Sequence, residues 1–219
     1  MDINPNKPVI LDAGEEVRFV VDVHAFPDSN SVILTWFHNG IEINHLDKHH
    51  KIGTSKNGEA LQAFLVINKA DVSDCGNFTL MGNTTDMMTQ ITVMLYVRGQ
   101  AIAKVMNSQD YYLLGQTYNI QCLSIGYPKG KVWWKWIPCF SLDNCSNDWI
   151  DLNADKIEML NSDKLIHINE SEPYLSRLDL NLKANQSGIY RCFAQNMNLQ
   201  ANYKQIPFIV SGMMILIKN

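Results

Sequence analysis

The sequence predicts an all-β chain folded as two tandem sandwiches, and three observations carry that reading. Apolar residues recur at every second position in several short segments. Val17, Phe19, Val21 and Val23, for example, alternate with Arg18, Val20 and Asp22, the period of a half-buried strand. No long window carries the 3.6-residue period of a helix. A corner motif, acid or amide-x-Gly-x-aromatic-x-Cys, occurs twice. It stands intact as Gln186-Ser187-Gly188-Ile189-Tyr190-Arg191-Cys192 and altered as Asp74-Cys75-Gly76-Asn77-Phe78-Thr79-Leu80, with Leu80 in place of the last cysteine.

In order along the chain, residues 1–98 read as the first domain. After the Val17–Val23 alternation comes Leu34-Thr35-Trp36-Phe37-His38-Asn39-Gly40-Ile41. This is a strand with a core tryptophan, followed by an Asn-Gly turn of the hairpin kind. Leu61, Ala63, Leu65 and Ile67 alternate again before the corner at Asp74, and Ile91–Val97 closes the domain. Arg98-Gly99-Gln100 is too short a linker for free tumbling.

Residues 99–211 repeat the plan. Tyr118, Ile120 and Cys122 alternate inward. Val132, Trp134 and Trp136 share a face, leaving Trp133 outward. Leu178, Leu180 and Leu182 alternate with Asp179, Asn181 and Lys183, and Ile206 to Val210 closes the sheet. Cys122, Trp134 and Cys192 occur in the Cys…Trp…Cys order of an immunoglobulin domain, whose second cysteine follows a corner tyrosine by two residues. The fold class is therefore two tandem immunoglobulin-like β-sandwiches, the first lacking the inter-sheet disulfide. Residues 212–219 read as a tail, or the first residues of a further domain.

Composition bounds the function. The chain has 219 residues, 46% of them apolar, enough for two cores in domains of about 100–120 residues. Charged residues are 18% and the net charge is −4, so there is no basic face for nucleic acid. No apolar run reaches the ~20 residues that span a bilayer. The opening Met1-Asp2-Ile3-Asn4-Pro5 does not read as a secretory signal. Asn-x-Ser/Thr sequons nevertheless stand at Asn77, Asn83, Asn144, Asn169 and Asn185, as in glycosylated proteins. We expect an excised piece of a secreted or membrane protein, with Met1 added for expression.

There are five cysteines. A Cys122–Cys192 bridge would join the two sheets across a loop of about 70 residues, worth roughly 4 kcal/mol by loop-closure entropy. Cys139 and Cys145 would either staple the loop past the tryptophan strand or remain two unbridged thiols. In the first domain the matching positions are Val21 and Leu80, so that core is filled rather than bonded. Cys75 is the odd cysteine. At what reads as an exposed corner, it is either an unoxidised thiol or an intermolecular link.

In ordered combination these motifs resemble the membrane-proximal ectodomain of the vascular endothelial growth factor receptors and their PDGF/VEGF-receptor relatives, immunoglobulin domains four and five. Trp36-Phe37-His38-Asn39-Gly40-Ile41 resembles the family's Trp-Tyr-Lys-Asn-Gly-Ile. Asp74-Cys75-Gly76-Asn77-Phe78-Thr79 resembles its Asp-Thr-Gly-Asn-Tyr-Thr. Trp134-Lys135-Trp136 with Cys139 and Cys145 resembles the domain-five tryptophan strand and its extra cysteine pair. The resemblance implies a fourth domain without its disulfide. It also implies a single-pass parent on the extracellular side of the plasma membrane, with a tyrosine kinase outside this chain and a growth-factor ligand bound mainly by other domains.

The resemblance further implies a receptor–receptor contact through Ile67-Asn68-Lys69-Ala70-Asp71-Val72-Ser73-Asp74-Cys75-Gly76. Lys69 would pair with Asp74 of a second copy across a two-fold axis, although Lys in place of the family's Arg loses the bidentate fork. Otherwise Lys69 and Asp74 are a solvated pair, or Asp74 caps the corner. Two exposed pairs contribute about 0.4–2 kcal/mol, whereas even a millimolar dimer needs about 4 kcal/mol. Such a contact matters only once ligand and membrane raise the effective concentration.

No catalytic constellation, phosphate loop or nucleophile elbow occurs, and no cofactor is implied. His45, His49 and His50 lie near Asp47 in a loop that offers no rigid frame, so no metal site is expected. Two other readings stand beside the receptor: an immunoglobulin-superfamily cell-adhesion protein, and a secreted decoy that binds a growth factor.

Overall fold

The computed structural model describes residues 7–24, 32–57, 60–141, 144–152, 165–168 and 172–211. The chain divides into two compact units, Met1–Gly99 and Gln100–Asn219.

Among its described residues the first unit has eight strands: β1 (Val9–Asp12), β2 (Val17–Val23), β3 (Ile33–His38), β4 (Ile41–Glu42), β5 (His50–Asn57), β6 (Ala60–Ile67), β7 (Gly76–Asn83) and β8 (Met88–Arg98), with a 3-10 turn at Val72–Asp74. One sheet runs β1-β8-β7-β3-β4 and the other β2-β6-β5. β1 pairs in parallel on β8. The β3–β4 hairpin turns through Asn39 and Gly40, both at positive φ (49° and 80°), which is why Asn-Gly suits it.

The alternation seen in the sequence becomes the two inner faces. Val17, Phe19, Ala63, Leu65 and Ile67 are buried on one sheet, and Trp36, Phe78, Leu80, Val93 and Leu95 on the other. Phe19 meets Phe78 between the sheets at 5.7 Å. Leu80 lies opposite Trp36 in register and Val21 opposite Ala63. Leu80 is buried and Val21 half-buried, so apolar contact stands where a bridge would.

The second unit adds β9 (Ile102–Met106), β10 (Tyr112–Leu113), β11 (Thr117–Ile125), β12 (Lys131–Ser141), β13 (Asn144–Cys145), β14 (Ile150–Leu152), β15 (Leu165–Ile168), β16 (Leu175–Lys183), β17 (Gly188–Gln195), β18 (Asn202–Phe208) and β19 (Val210–Ser211). Its sheets run β15-β16-β11-β9 and β13-β12-β17-β18, with β14 on β12 and a parallel β10–β19 pair. The Cys122–Cys192 disulfide joins β11 to β17 with a Cα–Cα distance of 5.4 Å, beside a fully buried Trp134. Cys139 and Cys145 are bridged across β12 and β13. Trp133 stacks on Phe193 at 5.2 Å, away from that core.

Candidate functional site

The corner between β6 and β7 brings together the residues singled out in the first unit. Beyond Ile67 the chain leaves the sheet, and Lys69 is exposed. The chain is tied back where the Ala70 N–H donates to the Glu15 carbonyl at 2.8 Å. Asp71, in extended backbone, caps the turn by accepting from the Ser73 N–H at 2.7 Å. The Asp74 carboxylate reaches back to accept the Asp71 N–H at 2.8 Å. Together these form a capping box.

Asp74 is therefore internal. It is 1% exposed, and the residues before β5 close over it. The His49 Nε2 lies 2.9 Å from both Asp74 oxygens, and the His50 Nε2 lies 3.2 Å from Oδ1. Asp47 holds the loop in place: it accepts from the His49 N–H at 2.8 Å through Oδ1, and its Oδ2 is 2.8 Å from the His50 Nδ1. The His38 ring stacks on Phe78 at 4.4 Å, with its Nε2 3.4 Å from the Cys75 carbonyl.

Burial sets the starting point for each charge here, and partners decide the outcome. Burial alone would raise the Asp74 pKa, but the His50 ring beside it and hydrogen bonds from the Asp71 N–H and His49 hold it below the ordinary carboxylate value. Burial alone would lower the His50 pKa, but Asp74 and Asp47 raise it above the ordinary value. His38 is held below it, chiefly by burial.

Two expectations need correction. Asp74 is not an exposed anion that can meet a second copy, because its carboxylate is spent on its own chain; the exposed acid on this turn is Asp71. Cys75 is not at the surface either. It is 1% exposed, in neither disulfide, and its sulfur is tucked under β8 beside Val97. An intermolecular bridge from it would require the corner to open. Lys69 is exposed as expected, and no ion pair among the described residues includes it. Of the sequons, Asn77, Asn83 and Asn185 are exposed, Asn144 begins β13, and Asn169 lies outside the described residues, as does the 212–219 tail. The parts played by His49 and His50 were missed, because their partner lies about 25 positions along the chain.

A family model for the VEGFR-1-like, immunoglobulin-like domain, of the fifth-domain kind, matches residues 96–212. The chain belongs to that family. The VEGFR-1-like match covers the second unit, whose two disulfides, with the family, point to an extracellular protein. An all-β immunoglobulin-like pair is not a catalytic fold. Among solved structures, the VEGFR-1-like chain is similar to the titin fragment I67–I69 (20% identity, 94% of this chain and 63% of that one, TM-score 0.37). It is also similar to the titin tandem A164–A165 (13%, 93% and 92%, 0.40) and the eight N-terminal immunoglobulin domains of Down Syndrome Cell Adhesion Molecule (16%, 93% and 23%, 0.46). It thus spans 63% of the length of the I67–I69 fragment. Comparison with curated proteins gave no match. Among the described residues no helix is long and apolar enough to cross a membrane.

Proposed function

We propose that this chain is part of the extracellular region of a growth-factor receptor tyrosine kinase of the VEGF/PDGF-receptor class, anchored in the plasma membrane by a segment outside it. Its task is spacing and orientation, together with a weak contact between two receptor copies once ligand has gathered them. The match of the family model to residues 96–212 carries this reading. The contact surface is the outer side of the corner in the first unit, with exposed Lys69 as its cation and exposed Asp71 as the nearest acid. Asp74 shapes that surface from within. Exposed pairs of this kind contribute about 0.2–1 kcal/mol each, so the contact responds to ligand rather than replacing it.

Analytical ultracentrifugation at several hundred micromolar tests this. A dimer with Kd near ~1 mM that Lys69→Glu abolishes supports the contact. Identical behaviour of the two proteins makes Lys69 a plain solvated charge and shifts weight to cell adhesion. Capture of a dimeric growth factor by this chain alone would favour the decoy reading.

A further inference from the structure

The geometry points to a divalent-metal site of the zinc type formed by His49, His50 and Asp74, a function separate from the receptor reading. The donor atoms of these three side chains lie within 4.8 Å of one another. They comprise two imidazole nitrogens and one carboxylate oxygen, a donor set that suits zinc.

The His50 ring supplies the second observation. Its Nδ1 is 2.8 Å from Asp47 Oδ2, so Nδ1 carries a proton and donates it to that carboxylate. In the neutral ring, Nε2 is then a lone pair. It is buried and makes no hydrogen bond, yet it lies 3.2 Å from the carboxylate oxygen Oδ1 of Asp74. A lone pair facing an anion at that distance calls for a cation between or beside them. A proton on Nε2 is one answer and a metal ion the other. Asp47 in turn does for His50 what outer carboxylates do for metal-bound histidines: it fixes the tautomer and aims the ring.

The spacing agrees. Metal bonds of about 2.0 Å in a tetrahedron separate the donor atoms by about 3.3 Å. The observed separations to Asp74 are 2.9 Å from His49 and 3.2 Å from His50; the three donors together lie within 4.8 Å, so the exposed His49 ring swings inward to complete the site. The frame is rigid on both sides. His50 opens β5, paired to Ile67 of β6, and Asp74 is locked by the capping box. This is the frame that the loop sequence alone did not offer. The His49 side chain is 39% exposed, which gives access from solvent and room for water as the fourth ligand.

The test is calorimetric titration of zinc chloride into the EDTA-stripped protein at neutral pH, with cobalt(II) absorption as a check on tetrahedral geometry. One zinc per chain is expected. His49→Ala should weaken binding at least tenfold, and Asp47→Asn, which touches no metal, about 10–100-fold. His45→Ala, in the same loop, should leave it unchanged. Circular dichroism confirms that each variant is folded; His49 is exposed enough for its truncation to be tolerated. Absence of stoichiometric binding overturns the site, as does binding that persists equally in His49→Ala and His50→Gln.

Discussion

Cys75, just before β7, and Val97 of β8 bond each other twice: the Val97 N–H donates to the Cys75 sulfur at 3.1 Å, and the thiol donates back to the Val97 carbonyl at 3.6 Å. The thiol thus completes a backbone position. Native protein should react with a thiol reagent far more slowly than urea-unfolded protein, and only the unfolded form should yield a full equivalent. Cys75→Val leaves the Val97 N–H buried without an acceptor and should cost about 1–3 kcal/mol in urea unfolding. Cys75→Ser keeps a polar partner and should cost less. Rapid labelling of the native chain would contradict the buried geometry.

The charged corner gives the first unit an opposing pH response in metal-free buffer. The His50 pKa is raised on folding, so its contribution is complete below about 6.5 and is lost as pH rises through the higher folded value. The Asp74 pKa is lowered, so its contribution is complete above about 3.9 and is lost as pH falls through the folded value. His38, held low, costs stability as pH falls below about 6.5. The His50 share is isolated by comparison with His50→Gln. The stability difference between the two proteins should shrink as pH rises above about 6.5, read from urea midpoints in EDTA.

Reduction should separate the two units. Cys122–Cys192 closes a sequence separation of 70, worth roughly 4 kcal/mol. Dithiothreitol should therefore lower the unfolding transition of the second unit and leave that of the first in place. A common shift of both transitions would mean that they do not unfold as separate units.

Gly76 opens β7 at φ +137°, and a Cβ there would run into the Asn39 amide, which itself accepts the Asn77 N–H at 2.9 Å. Gly76→Ala should cost about 1–3 kcal/mol in thermal or urea unfolding of the first unit. The backbone at this φ stays strained for alanine even when Asn39 swings away, so an unchanged midpoint would contradict the geometry.

Much of this was legible in the sequence, because period-two patterning and the Cys…Trp…Cys order are local signals. Phe19, Leu65, Ile67 and the Leu178–Leu182 alternation fall on the inner faces where the pattern puts them. What escaped was set at long range. Cys75 stands between an acid and a glycine, which reads as an exposed turn, yet β8 passes over its sulfur. Asp74 fits an exposed corner equally well until His49 and His50 fold across it, and no local pattern in residues 44–50 announces that destination. Val21, at the position of the missing cysteine, reads as core in the sequence but is only half-buried.

The hidden sulfur also bears on how the molecule matures. The first sandwich packs around Leu80, Trp36 and Phe19 and needs no oxidant, whereas the second is held by two disulfides. A domain that closes early takes Cys75 out of circulation before Cys122, Cys139, Cys145 and Cys192 are oxidised. With the fifth thiol sheltered under Val97, four remain to be sorted, and the odd one cannot capture a wrong partner.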